Sequence, residues 1–466
     1  MKKFLSNLGA FSLGPIASAF IGFITVPLIT YFISPAEYGK ASMFTLAQGI
    51  ASMFMYLGMD QAFIREFNQN KDALDKLLSS AMTLPITLSL VVLAGIVILK
   101  KYISVFLFGS TTETMAVYFL AVMLPFMVVE NFALLKIRME ERGLQYSFFN
   151  ILLKTLILIS TIILFILYER SFRSVVYAMA VGEILNGIIL AVIVIKPLRL
   201  SLKKTERQLT LQMLKFGVPL IPAMMMSWVL SSMDKVMLRV FCGYNELGLY
   251  SAAFKIVTIL SIVQSCFTLY WTPVAYRWNE EKVDKKNFNI VNTTVAVIMA
   301  VFCLGLLLVK NLVGLVLGTN FIDAIKIFPF ILLYPILYTM SESTSVGIGF
   351  SRKTYYSILV SGIACIVNLL LNYLLIPLLG AIGASMATGV SFLVFFIIRS
   401  AISRKVWWRF DVYVYYKLIP ILLFNCYIHT FWNGGIVYVF TIISIVLMLL
   451  INVKSLKEVF VFCKNL

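Results

Sequence analysis

The feature that most constrains this chain is a run of fourteen apolar stretches whose separating gaps are basic on alternate sides. The stretches fall near 8–32, 41–63, 77–99, 114–135, 146–167, 175–195, 216–241, 248–270, 288–309, 327–350, 354–376, 383–400, 411–431 and 435–453. Each approaches the ~20 apolar residues that a helix needs to cross a bilayer. Of 39 Lys and Arg residues, 27 lie in the gaps on the N-terminal side; Lys136, Arg138, Arg142, Lys203, Lys204, Arg207, Lys282, Lys285 and Lys286 are examples. The opposite gaps hold Lys40, Lys100, Lys101, Arg170, Arg173, Lys310 and Lys326. Cytoplasmic loops retain Lys and Arg, so the bias predicts a multi-pass protein of the cytoplasmic (inner) membrane with both termini in the cytoplasm.

Composition excludes the competing classes. At 61% hydrophobic and 13% charged, the chain lies far from a soluble domain. Its net charge of +18 sits at helix ends rather than in one patch, so no nucleic-acid partner is expected. Six scattered cysteines without C-x-x-C spacing and a single histidine, His429, argue against a disulfide framework, a metal site or any cofactor. Lys2-Lys3 followed by an apolar run and Ala17-Ser18-Ala19 imitates a signal peptide. The run continues to Ile33, which makes it the first spanning helix.

The connectors are short, and the longest basic one, Lys196 to Lys215, divides two sets of six spans. The expected organisation is an N-terminal six-helix lobe over 1–200, a cytoplasmic linker over 201–215 and a second six-helix lobe over 216–405. Two more spans and a short tail occupy 406–466. An internal echo supports two halves. Glu37-Tyr38-Gly39-Lys40-Ala41-Ser42 and Glu246-Leu247-Gly248-Leu249-Tyr250-Ser251 both read E-x-G-x-x-S, 209 residues apart, each in the turn before an even-numbered span. Parallel repeats of this kind recur in transporters.

Polar residues inside the spans follow helical spacing. The second span carries Thr45, Gln48, Ser52, Tyr56 and Asp60, and the seventh carries Ser227, Ser231, Lys235 and Arg239 with Asp234 beside them. The eighth carries Ser251, Lys255, Thr258, Ser261 and Ser265; the tenth carries Tyr334, Tyr338, Glu342 and Ser345. Small hydroxyl residues alone would read as glue between helices. Charges cost roughly 2.5–3.5 kcal/mol each at a span's centre, so their presence on these stripes favours a polar cavity. Lys154, Gln48 and Tyr56 join Asp234, Lys235, Arg239 and Lys255 as cavity candidates. Asp60, Glu130, Glu183 and Glu342 are candidates for coupling an ion, or simply partners for Lys and Arg. Asp234 and Lys255 lie at matching depth either side of the turn at Asn245, which predicts an ion pair.

The chain resembles the bacterial polysaccharide flippases, the O-antigen, capsule and teichoic-type branch of the multidrug/oligosaccharidyl-lipid/polysaccharide exporter superfamily. The resemblance spans nearly its whole length. It is carried by Ser34-Pro35-Ala36-Glu37-Tyr38-Gly39, by Gly58-Met59-Asp60 leading to Arg65, and by Phe216-Gly217-Val218-Pro219-Leu220-Ile221-Pro222. Asp234-Lys235, the stretch from Glu246 to Lys255, and Pro377-Leu378-Leu379-Gly380-Ala381-Ile382-Gly383-Ala384 complete it. It implies an all-α fold of two six-helix lobes around a central cavity, and the fourteen spans resemble the lipid II flippase arrangement, in which the last pair borders a lipid groove. Its implied cargo is a polyprenyl-pyrophosphate-linked oligosaccharide moved from the inner to the outer leaflet. Membrane lipids, and a polysaccharide polymerase and glycosyltransferases, are the implied partners. Cationic Lys235, Arg239, Lys255 and Lys154 would compensate the pyrophosphate. The competing functions are an ion-coupled exporter of small molecules or drugs, an integral membrane polysaccharide polymerase or acyltransferase, and a scaffold without transport.

Overall fold

The computed structural model describes residues 2–196, 205–351, 353, 355–432 and 434–453. The described residues contain no strand. Contacts divide the chain into two compact units, Met1–Met225 and Met226–Leu466.

Unit 1 contains α1 (Lys2–Thr30), α2 (Pro35–Tyr56), the short α3 (Met59–Glu66), α4 (Leu74–Ile98), α5 (Lys100–Phe108), α6 (Thr114–Met139), α7 (Gly143–Leu167), α8 (Phe172–Leu190) and α9 (Arg207–Gly217). Local chemistry sets these boundaries. Ser34 caps α2 by accepting from the Glu37 N–H, with Pro35 in the first turn, where a missing N–H costs nothing. The helix ends at Leu57 and Gly58, both with positive φ. Gly58 and Gly217 meet backbone to backbone: a Cβ on Gly58 would lie 2.5 Å from the Gly217 carbonyl oxygen. This close approach joins α3 to α9. Nearby, Arg65 lies over the Phe216 ring, 4.6 Å from its centroid.

Four residues of the expected linker, 201–204, lie outside the described residues. The remainder is fastened to unit 1. Lys76 Nζ pairs with Glu206 at 3.0 Å, the Glu206 N–H donates to Ser80 Oγ at 3.0 Å, and Thr83 and Thr205 hydroxyls meet at 2.9 Å.

Unit 2 contains α11 (Tyr244–Glu280), α12 (Lys285–Leu308), α13 (Asn311–Leu317), α14 (Ala324–Thr344), α15 (Val346–Phe350), α16 (Tyr355–Val406), α17 (Tyr413–Phe431) and α18 (Gly435–Ile451). The division between units falls within α10 (Ile221–Phe241). Helix α14 is buried along most of its length and packs against α11, α12 and α16. The 52-residue α16 is two helices broken at Gly380, where φ is 57° and ψ is −132°. The pair α17–α18 leans on α12 and is stapled internally by polar contacts: Asn425 Nδ2 donates to Ser444 Oγ at 2.9 Å, and His429 Nε2 meets Thr441 Oγ1 at 2.7 Å. His429 is thus a buried structural residue.

Among the described residues nine helices are long and apolar enough to cross a membrane, or ten with the bent pair Arg207–Leu220 and Met224–Phe241 taken as one. Dividing α16 at Gly380 adds another. Helices α2, α17 and α18, which are shorter or more polar, bring the long passes to the fourteen expected. The chain is an all-helical, multi-pass membrane protein.

Candidate functional site

The sequence echo at an offset of 209 residues has a structural counterpart within each unit. In unit 1, Glu37 accepts a hydrogen bond from the N–H of Phe172, the first residue of α8, at 2.7 Å. In unit 2, Glu246 accepts from the N–H of Ala381, which opens the second part of α16, at 2.8 Å. Both pairs are 135 residues apart. Each carboxylate satisfies an orphan N–H at a helix N-terminus, where the helix dipole also favours a negative charge. The repeated glutamate is therefore a cap on a distant helix.

The serines and threonines of the polar stripes mostly bond their own helices. Thr45 donates to the Ala41 carbonyl at 3.3 Å, Ser52 to Gly49 at 2.8 Å, Thr258 to Lys255 at 2.7 Å and Ser265 to Ser261 at 2.9 Å. The Ser227 side chain lies outside the described residues. The longer polar side chains make the cross-helix contacts.

Six of the candidate residues come together in unit 1. Gln48 on α2 donates to Glu183 on α8 at 3.2 Å, and Tyr56 donates to the Met127 carbonyl on α6 at 3.2 Å. Glu130 on α6 is 8% exposed. Glu183 and Asn186 on α8 and Lys154 on α7 lie close enough to act on it electrostatically. Asp60, Glu130 and Glu183 all act electrostatically on the Tyr56 hydroxyl. Within this cluster Glu130 Oε2 and both polar atoms of Asn186 are buried without a formed hydrogen bond.

Unit 2 sorts its candidates into two sets. Asp234 is 2% exposed and turns into the unit's own core. Its carboxylate accepts from Tyr250 Oη at 2.5 Å, Thr388 Oγ1 at 2.7 Å and Asn372 Nδ2, which also reaches Asn368 Oδ1 at 3.0 Å. Three neutral side chains thus hold the Asp234 carboxylate in a hydrogen-bonded network. Side chains from α11 and both parts of α16 converge on Asp234, and Lys255 is exposed on α11. Sequence reasoning missed Asn186, Asn368, Asn372 and Thr388. The signal available was two asparagines four residues apart in an otherwise apolar helix.

Lys235 and Arg239, on the same helix as Asp234, are partly exposed and braced by rings. Lys235 Nζ lies 5.5 Å from the Phe254 centroid and the Arg239 guanidinium 4.1 Å from that of Tyr244. No described carboxylate lies within salt-bridge distance of either. Glu342, by contrast, is engaged: Arg399 Nη1 donates to it at 2.6 Å and to Ser341 Oγ at 2.8 Å. Among the described residues no group of three His, Cys, Asp or Glu side chains could hold a metal ion.

Comparison with solved structures identifies the class of fold. A lipid II flippase, MurJ, in an inward-closed conformation matches with a TM-score of 0.72 at 17% identity, covering 97% of this chain and 99% of that one. An inward-facing multidrug resistance MATE family transporter of the MOP superfamily matches with a TM-score of 0.57 at 15% identity, over 84% of this chain and 94% of that one. A MOP superfamily transporter from Pyrococcus furiosus matches at 0.53 and 14%, over 86% and 95%. The chain has the fold of these helical membrane transporters. Residues 4–279 match the model of the polysaccharide biosynthesis protein family, and the chain belongs to that family. No curated protein sequence matches it.

Proposed function

We propose that this protein is a flippase that moves a polyprenyl-pyrophosphate-linked oligosaccharide from the inner to the outer leaflet of the cytoplasmic membrane by alternating access, for cell-surface polysaccharide assembly. One observation carries the reading. Lys235 and Arg239 lie within a spanning helix, partly exposed, and the carboxylate next to them is spent on neutral donors. Intramembrane cations without a carboxylate call for an anionic ligand, and a pyrophosphate supplies one through charge-assisted hydrogen bonds. Lys255 and Lys154 extend this role, and Gln48 and Tyr56 offer hydrogen bonds to sugar hydroxyls. Membership of a polysaccharide biosynthesis family and the transporter fold support the same reading. The loops on the basic side, and both termini, are cytoplasmic in this proposal. The glycosyltransferases that build the cargo and the polymerase that consumes it are its expected functional partners.

A second reading, an ion-coupled exporter of small molecules, draws on the acidic cluster of unit 1. The two readings join if Glu130 and Glu183, neighbouring carboxyls, take up and release the coupling ion while unit 2 holds the cargo. Glu342, engaged by Arg399, is then a structural residue. The test is depletion of the protein followed by leaflet-resolved detection of lipid-linked oligosaccharide. The intermediate should accumulate in the inner leaflet, and Lys235→Ala and Arg239→Ala should fail to restore export by about tenfold or more while still inserting. Normal arrival in the outer leaflet after depletion would overturn the proposal.

A further inference from the structure

The end of α16 and the connector to α17 form a second cationic site, separate from the candidates above. A cleft of about 350 Å³ is lined by Ala401, Arg404, Lys405 and Arg409. No described carboxylate pairs with any of its three cations. Asp411, two residues beyond Arg409, is occupied in accepting from the Tyr413 N–H at 2.8 Å, at the start of α17. Arg404 is held over the Phe410 ring, 5.8 Å from its centroid, and its Nε is buried with no hydrogen-bond partner.

The frame around the cleft is rigid and interfacial. Trp407 packs edge-on against Phe288 and Phe350 with centroids 5.0 and 4.9 Å apart. Tryptophans at a helix end occupy the headgroup level of a bilayer. Ile397, Ala401 and Lys405 follow one another at four-residue steps on one helix face, and all three are exposed. That face therefore runs from an apolar, lipid-facing turn down to a cation. A free anion would need only the cations; an apolar strip leading into them suits a molecule with an acyl chain.

We propose that this cleft binds the phosphate headgroup of an anionic membrane lipid, with its acyl chain along Ile397 and Ala401. Two arginines give forked donors for phosphate oxygens and the lysine adds a mobile charge. Basic pockets at the cytoplasmic ends of spanning helices are suited to such headgroups.

The test uses the full-length protein in nanodiscs of phosphatidylcholine doped with phosphatidylglycerol or cardiolipin, with retained lipid read by native mass spectrometry. The wild type should retain the anionic lipid over phosphatidylcholine, and Arg404→Gln with Arg409→Gln should lose roughly tenfold of that retention. Arg404→Lys with Arg409→Lys, which keeps the charge, should retain an intermediate amount and show that the loss is not misfolding. Lys282→Gln with Lys285→Gln lowers the net charge equally and should change nothing. Equal retention by wild type and the Arg404/Arg409 pair, or an equal loss in the Lys282/Lys285 pair, overturns the site. Displacement by inorganic phosphate at millimolar concentration, with no effect of Ile397→Ser on lipid retention, would assign the cleft to a free anion instead.

Discussion

The residues that depart from the sequence expectation do so because of what surrounds them. Asp234 and Lys235 are neighbours in the chain, yet one is locked in a core and the other is partly exposed beside the Phe254 ring. Only the first has Tyr250, Thr388 and Asn372 within reach. Glu113 shows the opposite case, a charge whose partner is charged. Arg173 holds it by a two-pronged contact, Nε to Oε2 at 2.8 Å and Nη2 to Oε1 at 2.7 Å. The Arg173 hydrogen bonds keep the Glu113 carboxyl below the usual carboxylate range. A carboxyl lowered in the folded state contributes stability above its unfolded pKa, and that contribution is lost as pH falls. The protein in detergent should lose about 1 kcal/mol of stability from this pair as pH drops below about 4.5. Glu113→Gln should remove that part of the acid-side decline; thermal melts across pH 3–7 measure it. An unchanged decline would show that the pair is screened.

At the scale of elements, the repeated glutamates explain why E-x-G-x-x-S occurs twice. The motif was legible in the sequence, and so was its place before an even-numbered helix. Its partner was not, because Phe172 and Ala381 lie 135 residues away and offer only backbone N–H groups, which carry no side-chain signature. In unit 2 the contact is tight: Gly380 has positive φ, and a Cβ there would lie 2.6 Å from Glu246 Oε2. Gly380→Ala should therefore cost about 1–3 kcal/mol through strain and displacement of the cap. Glu246→Gln, which keeps the shape but loses the charge at the helix N-terminus, should cost about 1 kcal/mol. As a control, Gly95→Ala in α4, where a Cβ meets nothing within 4 Å, should be neutral or stabilising. Thermal unfolding in detergent ranks the three; a Gly380→Ala protein as stable as Gly95→Ala would remove the capping account. Local glue was likewise legible only as residue type. Whether a hydroxyl bonds its own helix or a neighbour depends on rotamer and packing.

For the whole molecule, charge placement predicts a definite threading. Lys282 falls in a basic gap and Lys101 in an opposite one. In a cysteine-free background, Lys101→Cys should react with an impermeant maleimide on intact cells, and Lys282→Cys only after the membrane is opened. The reverse labelling would invert the orientation. The number and type of passes were readable because a bilayer leaves few choices: a span must be a helix of about 20 apolar residues. The positive-charge bias was readable for the same reason, as a property of composition and order along the chain.

Sequence alone thus determined the class of the protein, its helices, its internal repeat and the short set of polar residues inside the spans. Tertiary structure decided what each of those residues does. It gathered Gln48, Tyr56, Asp60, Glu130, Lys154 and Glu183 from five helices into one cluster. It also closed Asp234 into a neutral network and set Lys235 and Arg239 against the Phe254 and Tyr244 rings. The difference is physical: hydropathy is a sum over neighbours in the chain, whereas pairing depends on which side chains from distant helices meet at the same depth.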